Sequence, residues 1–361
     1  MDHDQLIELL PNRVRRNYSG GLNLDKWEHG RAPQDSDRPE DWLASTTHAV
    51  NRGMPELPLE GIGFGRDAGG NIYNLAKLFR HRGEYFLGSR AYSRAGPNLG
   101  FLAKLLDSSM RLHTQVHPTR EMAQEKLGVP YGKLEGYVIL AVRPGIPGNI
   151  RLGFQRAPTR VQWREIIARQ DIAAMEACFD KIPVEAGQVW FVPGGMVHAL
   201  GAGLLLLEVM EPSDLVVRCE FERDGILVPP DARFLGRDLD FCLDFFDYRS
   251  MDLNEVQDRC RVKSELLSQS EAHEARRKLP FSKTGCVEVW ELIVKREFTW
   301  FQASYFRLVI VVCGSGEINM ADHRLRVTAG SRFFVAANAD AIVVHPDKGA
   351  PLTLLICQPE G

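Results

Sequence analysis

Gly187-Gln-Val-Trp-Phe-Val-Pro193-Gly-Gly-Met-Val-His198 is the stretch on which the fold turns. It reads as a glycine turn, a short apolar strand ending in Phe-Val, and a loop. Pro193 and Gly195 favour a tight turn. The chain then re-enters a strand with His198 aimed inward, where an apolar shell can surround a metal. The pattern returns at Gly330-Ser-Arg-Phe-Phe-Val-Ala336-Ala-Asn-Ala-Asp-Ala341. The first copy keeps Pro193, Gly195 and His198; the second has Ala336, Asn338 and Ala341 in their places. An internal repeat of this kind implies two β-units of one fold. The first alone retains a candidate metal ligand.

Outward from these copies, short apolar runs alternate with Gly, Pro and Asn turns from residue 61 onward, the signature of a sandwich or barrel. Strands are expected at 112–117, 135–142, 188–193, 204–210, 288–294, 305–312, 332–336 and 341–345. Helices are expected at 100–109, at 120–127 after Pro118-Thr119, and at 162–179, where apolar residues recur at helical spacing. Residues 1–60 are polar and irregular and are expected to wrap around the core. The expected fold class is mainly β, with a large N-terminal unit at 1–250 carrying a helical insertion at about 160–180. A charged connecting segment follows at 251–285 and a compact unit at 286–361.

The bulk numbers narrow the function classes. With 361 residues the chain can bury a sizeable core. The 44 basic and 47 acidic residues leave a net charge of -3, which gives no pull toward nucleic acid or an anionic membrane. No apolar run approaches the roughly 18 residues of a membrane span. The start, MDHDQLIELLPNRVRRN, carries acids where a signal peptide needs basic residues. The seven cysteines form no C-x-x-C pair and are odd in number. They are expected to be reduced, buried thiols of a cytoplasmic protein.

A second cluster stands at Leu112-His113-Thr114-Gln115-Val116-His117-Pro118. Successive residues of a strand point to opposite faces, so His113, Gln115 and His117 share one face. A polar stripe of that kind is not what a core selects without a use. Glu135 opens the apolar strand Glu135-Gly-Tyr-Val-Ile-Leu-Ala-Val. Together Gln115, His117, Glu135 and His198 form a set of two imidazoles, one carboxylate and one amide, which suits a borderline cation such as zinc. Mixed N/O ligands with room for water or substrate indicate catalysis rather than structure.

The first copy fits the spacing G-x5-P-x-G-x2-H and so resembles the second conserved box of cupins. A closer resemblance covers most of the chain. Lys104-Leu-Leu-Asp, then Gln115-Val-His117-Pro, then Lys133-Leu-Glu135 resembles the type I phosphomannose isomerase pattern. So do Gly187–Gly201 and Leu207-Glu208-Val209-Met210 followed by Ser213-Asp214 and Arg218. Pro39-Glu-Asp-Trp42-Leu-Ala-Ser45 is a fainter echo. The resemblance implies a double cupin, that is, two jelly-roll β-barrels, the second of them metal-free. It implies one Zn2+ per chain held by Gln115, His117, Glu135 and His198, with Lys104, Lys133, Asp214 and Arg218 lining the substrate site. It also implies interconversion of mannose 6-phosphate and fructose 6-phosphate through a cis-enediol. The expected partner is a small sugar phosphate, not nucleic acid or a membrane.

That residue set matches the chemistry. Zinc polarises a carbonyl, Arg218 holds developing negative charge, and Lys104 or Lys133 can move protons. Asp214 would assist ring opening or orient Arg218. Two positions depart from the family. His113 replaces a small Ser on the ligand face, and Tyr18-Ser-Gly20-Gly21 replaces W-G-G. His113 favours one alternative, an isomerase of another or a non-phosphorylated sugar; a cupin that binds a sugar without turning it over is a further alternative.

Overall fold

The structure, a computed structural model, describes residues 5–28, 32–300, 303–320, 323–337 and 339–360; Asn338 of the second copy lies outside the described residues. Strand Leu204–Met210 shows how the layers arise. Leu204 and Leu206 face the interior of one barrel, while Leu205, Leu207 and Val209 face a layer shared with the other. A strand apolar on both faces reads as a continuous apolar run and is buried on both sides.

In the first barrel a seven-stranded antiparallel sheet runs in the order Arg261–Val262, Val189–Val192, Glu135–Val142, Leu204–Met210, Leu102–Asp107, Glu40–Leu43 and Arg13–Val14. The opposing five-stranded sheet runs Ile182–Pro183, Asn149–Leu152, His198–Leu200, Gln115–Val116 and Val217–Arg218. The second barrel centres on Glu288–Val294, Leu352–Gln358, Arg307–Cys313 and Arg332–Val335. His273–Leu279 and Glu265–Gln269 extend that sheet on one side. Leu6–Leu9, Phe64–Arg66 and Ile72–Asn74 extend it on the other, so the sheet draws strands from 1–250, 251–285 and 286–361 alike. A four-stranded sheet that includes Ser315–Met320 and Ile342–Pro346 closes this barrel.

Both copies of the repeated stretch lie at equivalent places. Gly187 (φ 85°) and Gly330 (φ 93°) take the left-handed turn that a side chain resists, and each leads into a sheet strand. The barrels join through an apolar layer containing Leu105, Val138 and Leu207 from one side and Leu308, Ile310, Phe334 and Leu355 from the other. Helix Leu75–Leu87 adds Phe79 and Phe86, whose rings meet that of Phe334 at 5.1 Å and 6.3 Å. Burying each such side chain stabilises the fold by about 1.5–3 kcal/mol.

Three expectations are corrected. Residues 100–109 are not helical; Leu102–Asp107 is a central strand. Its apolar residues serve two faces, so their helix-like spacing was a by-product of burial on both sides. The helix expected at 162–179 is two helices, Arg160–Arg169 and Ile172–Ala177. Gln170 turns left-handed at φ 52° and Asp171 caps the second helix through Ala174 N–H. Residues 1–60 do more than wrap: they supply helix Leu22–Glu28 and strands to both barrels. Residues 120–127 are helical, with Thr119 as N-cap. Among the described residues no helix is long and apolar enough to cross a membrane.

Candidate metal centre

The turn Pro193-Gly194-Gly195 lies against the backbone that carries His117. Gly195 N–H donates to His117 O at 2.7 Å, and a Cβ on Gly194 would stand 2.7 Å from Thr119 Cα. His198 pairs in register with Gln115, and Glu135 pairs with Val192 and Met210. Three segments distant in sequence thereby converge inside one barrel.

His117, Glu135 and His198 are buried, and their ligand atoms lie within 4.8 Å of one another. His117 Nε2 is 3.0 Å from Glu135 Oε1, and His198 Nε2 is 3.3 Å from Oε2. Each ring is set from behind: Nδ1 of His117 is 2.7 Å from Leu215 O, and Nδ1 of His198 is 2.8 Å from Met196 O. A backbone carbonyl can only accept, so each Nδ1 carries the proton and each Nε2 lone pair faces Glu135. Burial, reinforced by Lys133, lowers the His117 pKa to about 3 and keeps that ring neutral, as a ligand must be. Gln115 Nε2 sits 3.2 Å from His198 Nε2, and turning its amide would present Oε1 at the same place. Two imidazoles, a carboxylate and an amide oxygen fit zinc. Tyr137 donates its hydroxyl to Glu135.

Beside this cluster lies a charged pocket that His113, Lys104, Lys133, Asp214 and Arg218 help to line. Lys133 Nζ is 2.9 Å from Glu135 Oε1 and 3.3 Å from His117 Nε2. Lys104 projects from a strand and bridges Glu208 at 3.2 Å and Glu40 at 3.3 Å. Burial pulls Lys104 down, but Glu208 and Glu40 outweigh it and hold it firmly charged. Arg218 donates Nη1 to Ala232 O at 2.8 Å, and burial lowers it to about 10. Asp214 is not on Arg218: it forms an ion pair with Arg16 at 3.1 Å. His113 is buried, its Nε2 is 3.3 Å from Ile226 O, and burial lowers it to about 4, so it is neutral at pH 7. An adjoining chamber of about 300 Å³, lined by Pro130, Tyr131, Leu215 and Leu235, shares Asp214, Val216 and Arg218 with the pocket.

Several pocket residues carried no role in the sequence reading. Glu208 had a visible signal, a lone carboxylate inside the apolar run LLLLEVM. Here burial and then Glu135 push it up to about 8, and its Oε1 has no hydrogen-bond partner among the described residues. Glu40 accepts from Tyr18, Trp42, Arg16 and Lys104. Nothing in R-V-R-R-N marked Arg16 as buried.

No protein-family model matches the chain. A mannose-6-phosphate isomerase of Streptococcus mutans is 35% identical over 123 residues. That alignment covers 34% of this chain and 37% of the relative, so the chain matches little more than a third of its length. The solved mannose 6-phosphate isomerase of Bacillus subtilis superposes with a TM-score of 0.74 at 20% identity, covering 98% of this chain and 99% of that one. A zinc-bound mannose 6-phosphate isomerase structure gives 0.70 at 14% identity, covering 97% and 99%. The chain has the double-cupin fold of the phosphomannose isomerases, to which its own residues at 101–142 and 187–218 bear the resemblance.

Proposed function

We propose that this protein is a zinc-dependent aldose–ketose isomerase interconverting mannose 6-phosphate and fructose 6-phosphate. The observation that carries the reading is one juxtaposition. Buried His117, Glu135 and His198, with half-buried Gln115, stand beside a pocket lined by Lys104, Lys133, Glu208 and Arg218. Gln115, His117, Glu135 and His198 would hold a zinc ion, which when bound would supply Lewis-acid polarisation of a carbonyl oxygen. Arg218 keeps its charge at neutral pH and would hold the oxyanion charge of a cis-enediol intermediate. Glu208, raised toward neutrality, belongs with Lys133 among the groups that would move a proton between adjacent carbons, whereas Lys104, held charged, is not a base. Lys104 fixes Glu208, and Lys133 fixes Glu135. The named activity of the relatives supports the substrate. The described cysteines are all unpaired, which fits a reducing cytoplasmic setting.

One observation favours a second reading, a non-phosphorylated sugar. His113 lines the pocket as a neutral ring and adds no charge for a phosphate. Both readings meet in one experiment. Zinc-loaded protein is given fructose 6-phosphate and, in parallel, fructose, and the aldose is followed by a coupled assay with and without chelator. Chelator-sensitive turnover of the phosphate ester is expected. Arg218→Ala should then lower kcat at least a hundredfold with zinc content unchanged. Turnover of fructose alone would select the second reading, and no turnover of either by the zinc-loaded protein would sink both.

A further inference from the structure

We propose that Arg16 is a positioning residue that holds the Asp214 carboxylate off Arg218 and so keeps the Arg218 guanidinium open to substrate. The isomerase reading above decides what Arg218 receives; the division of charges itself stands on geometry.

Four cations line the charged pocket, and three are taken. Lys133 sits on Glu135, Lys104 on Glu208 and Glu40, and Arg16 on Glu40 and Asp214. Arg218 gives Nη1 to a backbone carbonyl and, among the described residues, has no carboxylate within ion-pair distance. Asp214 is nonetheless close enough to be the largest influence raising the Arg218 pKa against burial. Two guanidinium groups therefore compete for one carboxylate.

Arg16 wins because its plane is locked on every side. Nη1 and Nη2 reach the two oxygens of Asp214 at 3.1 Å and 3.2 Å, and Nε reaches Glu40 at 2.9 Å. Nη1 also reaches Asn51 Oδ1 at 3.1 Å, and the guanidinium lies 4.9 Å from the Trp42 ring centre. Val50 N–H completes the shell of Asp214 at 2.8 Å. A planar fork can hold two carboxylates in fixed directions; an ammonium cannot. With Arg16 removed, Asp214 becomes a nearly buried carboxylate without its cation, a costly state that turning toward Arg218 relieves. Arg218 would then be neutralised from within.

The test labels zinc-loaded protein with phenylglyoxal and follows Arg218 by peptide mass spectrometry, with no substrate present. Arg16→Met should slow Arg218 labelling at least fivefold, and Arg16→Met with Asp214→Asn should restore it to within twofold of wild type. Arg16→Lys should resemble Arg16→Met, and it carries the same test should the methionine variant not fold. In the fructose 6-phosphate assay the Arg16→Met variant should raise KM at least tenfold. Unchanged Arg218 labelling in folded single variants, or a double variant that labels as slowly as Arg16→Met, would overturn the proposal. Absence of turnover in the wild type would instead overturn the isomerase reading and leave the labelling result intact.

Discussion

The two copies of the strand-turn unit began alike and are used differently. Val189–Val192 and Arg332–Val335 each follow a left-handed glycine, and each lies within a sheet. After the first, Gly195 ties back to His117 and brings His198 to Glu135. After the second, Ala336 N–H goes to Gln5 O and Ala337 N–H to Phe86 O, so the turn fastens the N-terminal strand and a helix. The interiors differ accordingly. The first barrel buries Glu40, Lys104, Glu135 and Glu208, whereas the second packs Val311, Ile318, Phe333 and Val344. Buried charges cost several kcal/mol each before pairing. A neighbouring barrel with an apolar interior and a shared apolar layer offsets part of that cost. One unit concentrates buried charge and candidate metal ligands, and the other supplies apolar packing.

The comparison can be broken most sharply at His198. His198→Ala should cut bound zinc to less than about a tenth of an equivalent and turnover at least 10³-fold, a barrier change of about 4 kcal/mol; metal analysis and the coupled assay read both. Ala341→His, at the matching place, should add no second zinc, since among the described residues no group of three metal-binding side chains gathers in that barrel. A second equivalent would mean that the barrels are less specialised than they look.

Phe334 tests the other half. It is fully buried between the barrels, with its ring 5.5 Å from that of Phe306. Phe334→Ala should cost about 3–5 kcal/mol in denaturant unfolding while turnover per folded molecule stays near wild type. Loss of zinc without loss of stability would put the site, not the scaffold, at this residue.

The smallest effect concerns pH. The folded pKa of His113, about 4, lies below its unfolded value near 6.5. Between those values the unfolded chain binds more protons, so stability rises with pH. The contribution is complete above about pH 6.5 and is lost as pH falls toward 4. His113→Gln should remove at most about 3 kcal/mol of that acid loss, seen as a flatter plot of unfolding free energy between pH 7 and 4. An unchanged slope would mean that His113 is hydrated and the pocket wetter than its burial implies.

Legibility followed the range of the interactions. The turn at 193–195, the ligand spacing at 115–117 and the acid at 135 are local patterns, and the structure brings all of them together. Strand 102–107 carries helix-like apolar spacing because Ala103 and Leu105 pack into the layer shared with the second barrel while Leu106 faces the first barrel's interior, a division that only the tertiary structure makes. Asp214 is expected from sequence to assist ring opening or to orient Arg218, four residues on; its ion pair in the fold is with Arg16, 198 residues away. No spacing rule reaches that far.

By itself the sequence determined the mainly β architecture and marked Gln115, His117, Glu135 and His198 as candidate donors, because side-chain alternation, turn chemistry and ligand type are written in short local stretches. Tertiary structure alone decided which cation meets which carboxylate. Ion pairing depends on distance and burial across segments, and in a pocket with four cations and four acids the sequence permits many pairings that geometry reduces to one.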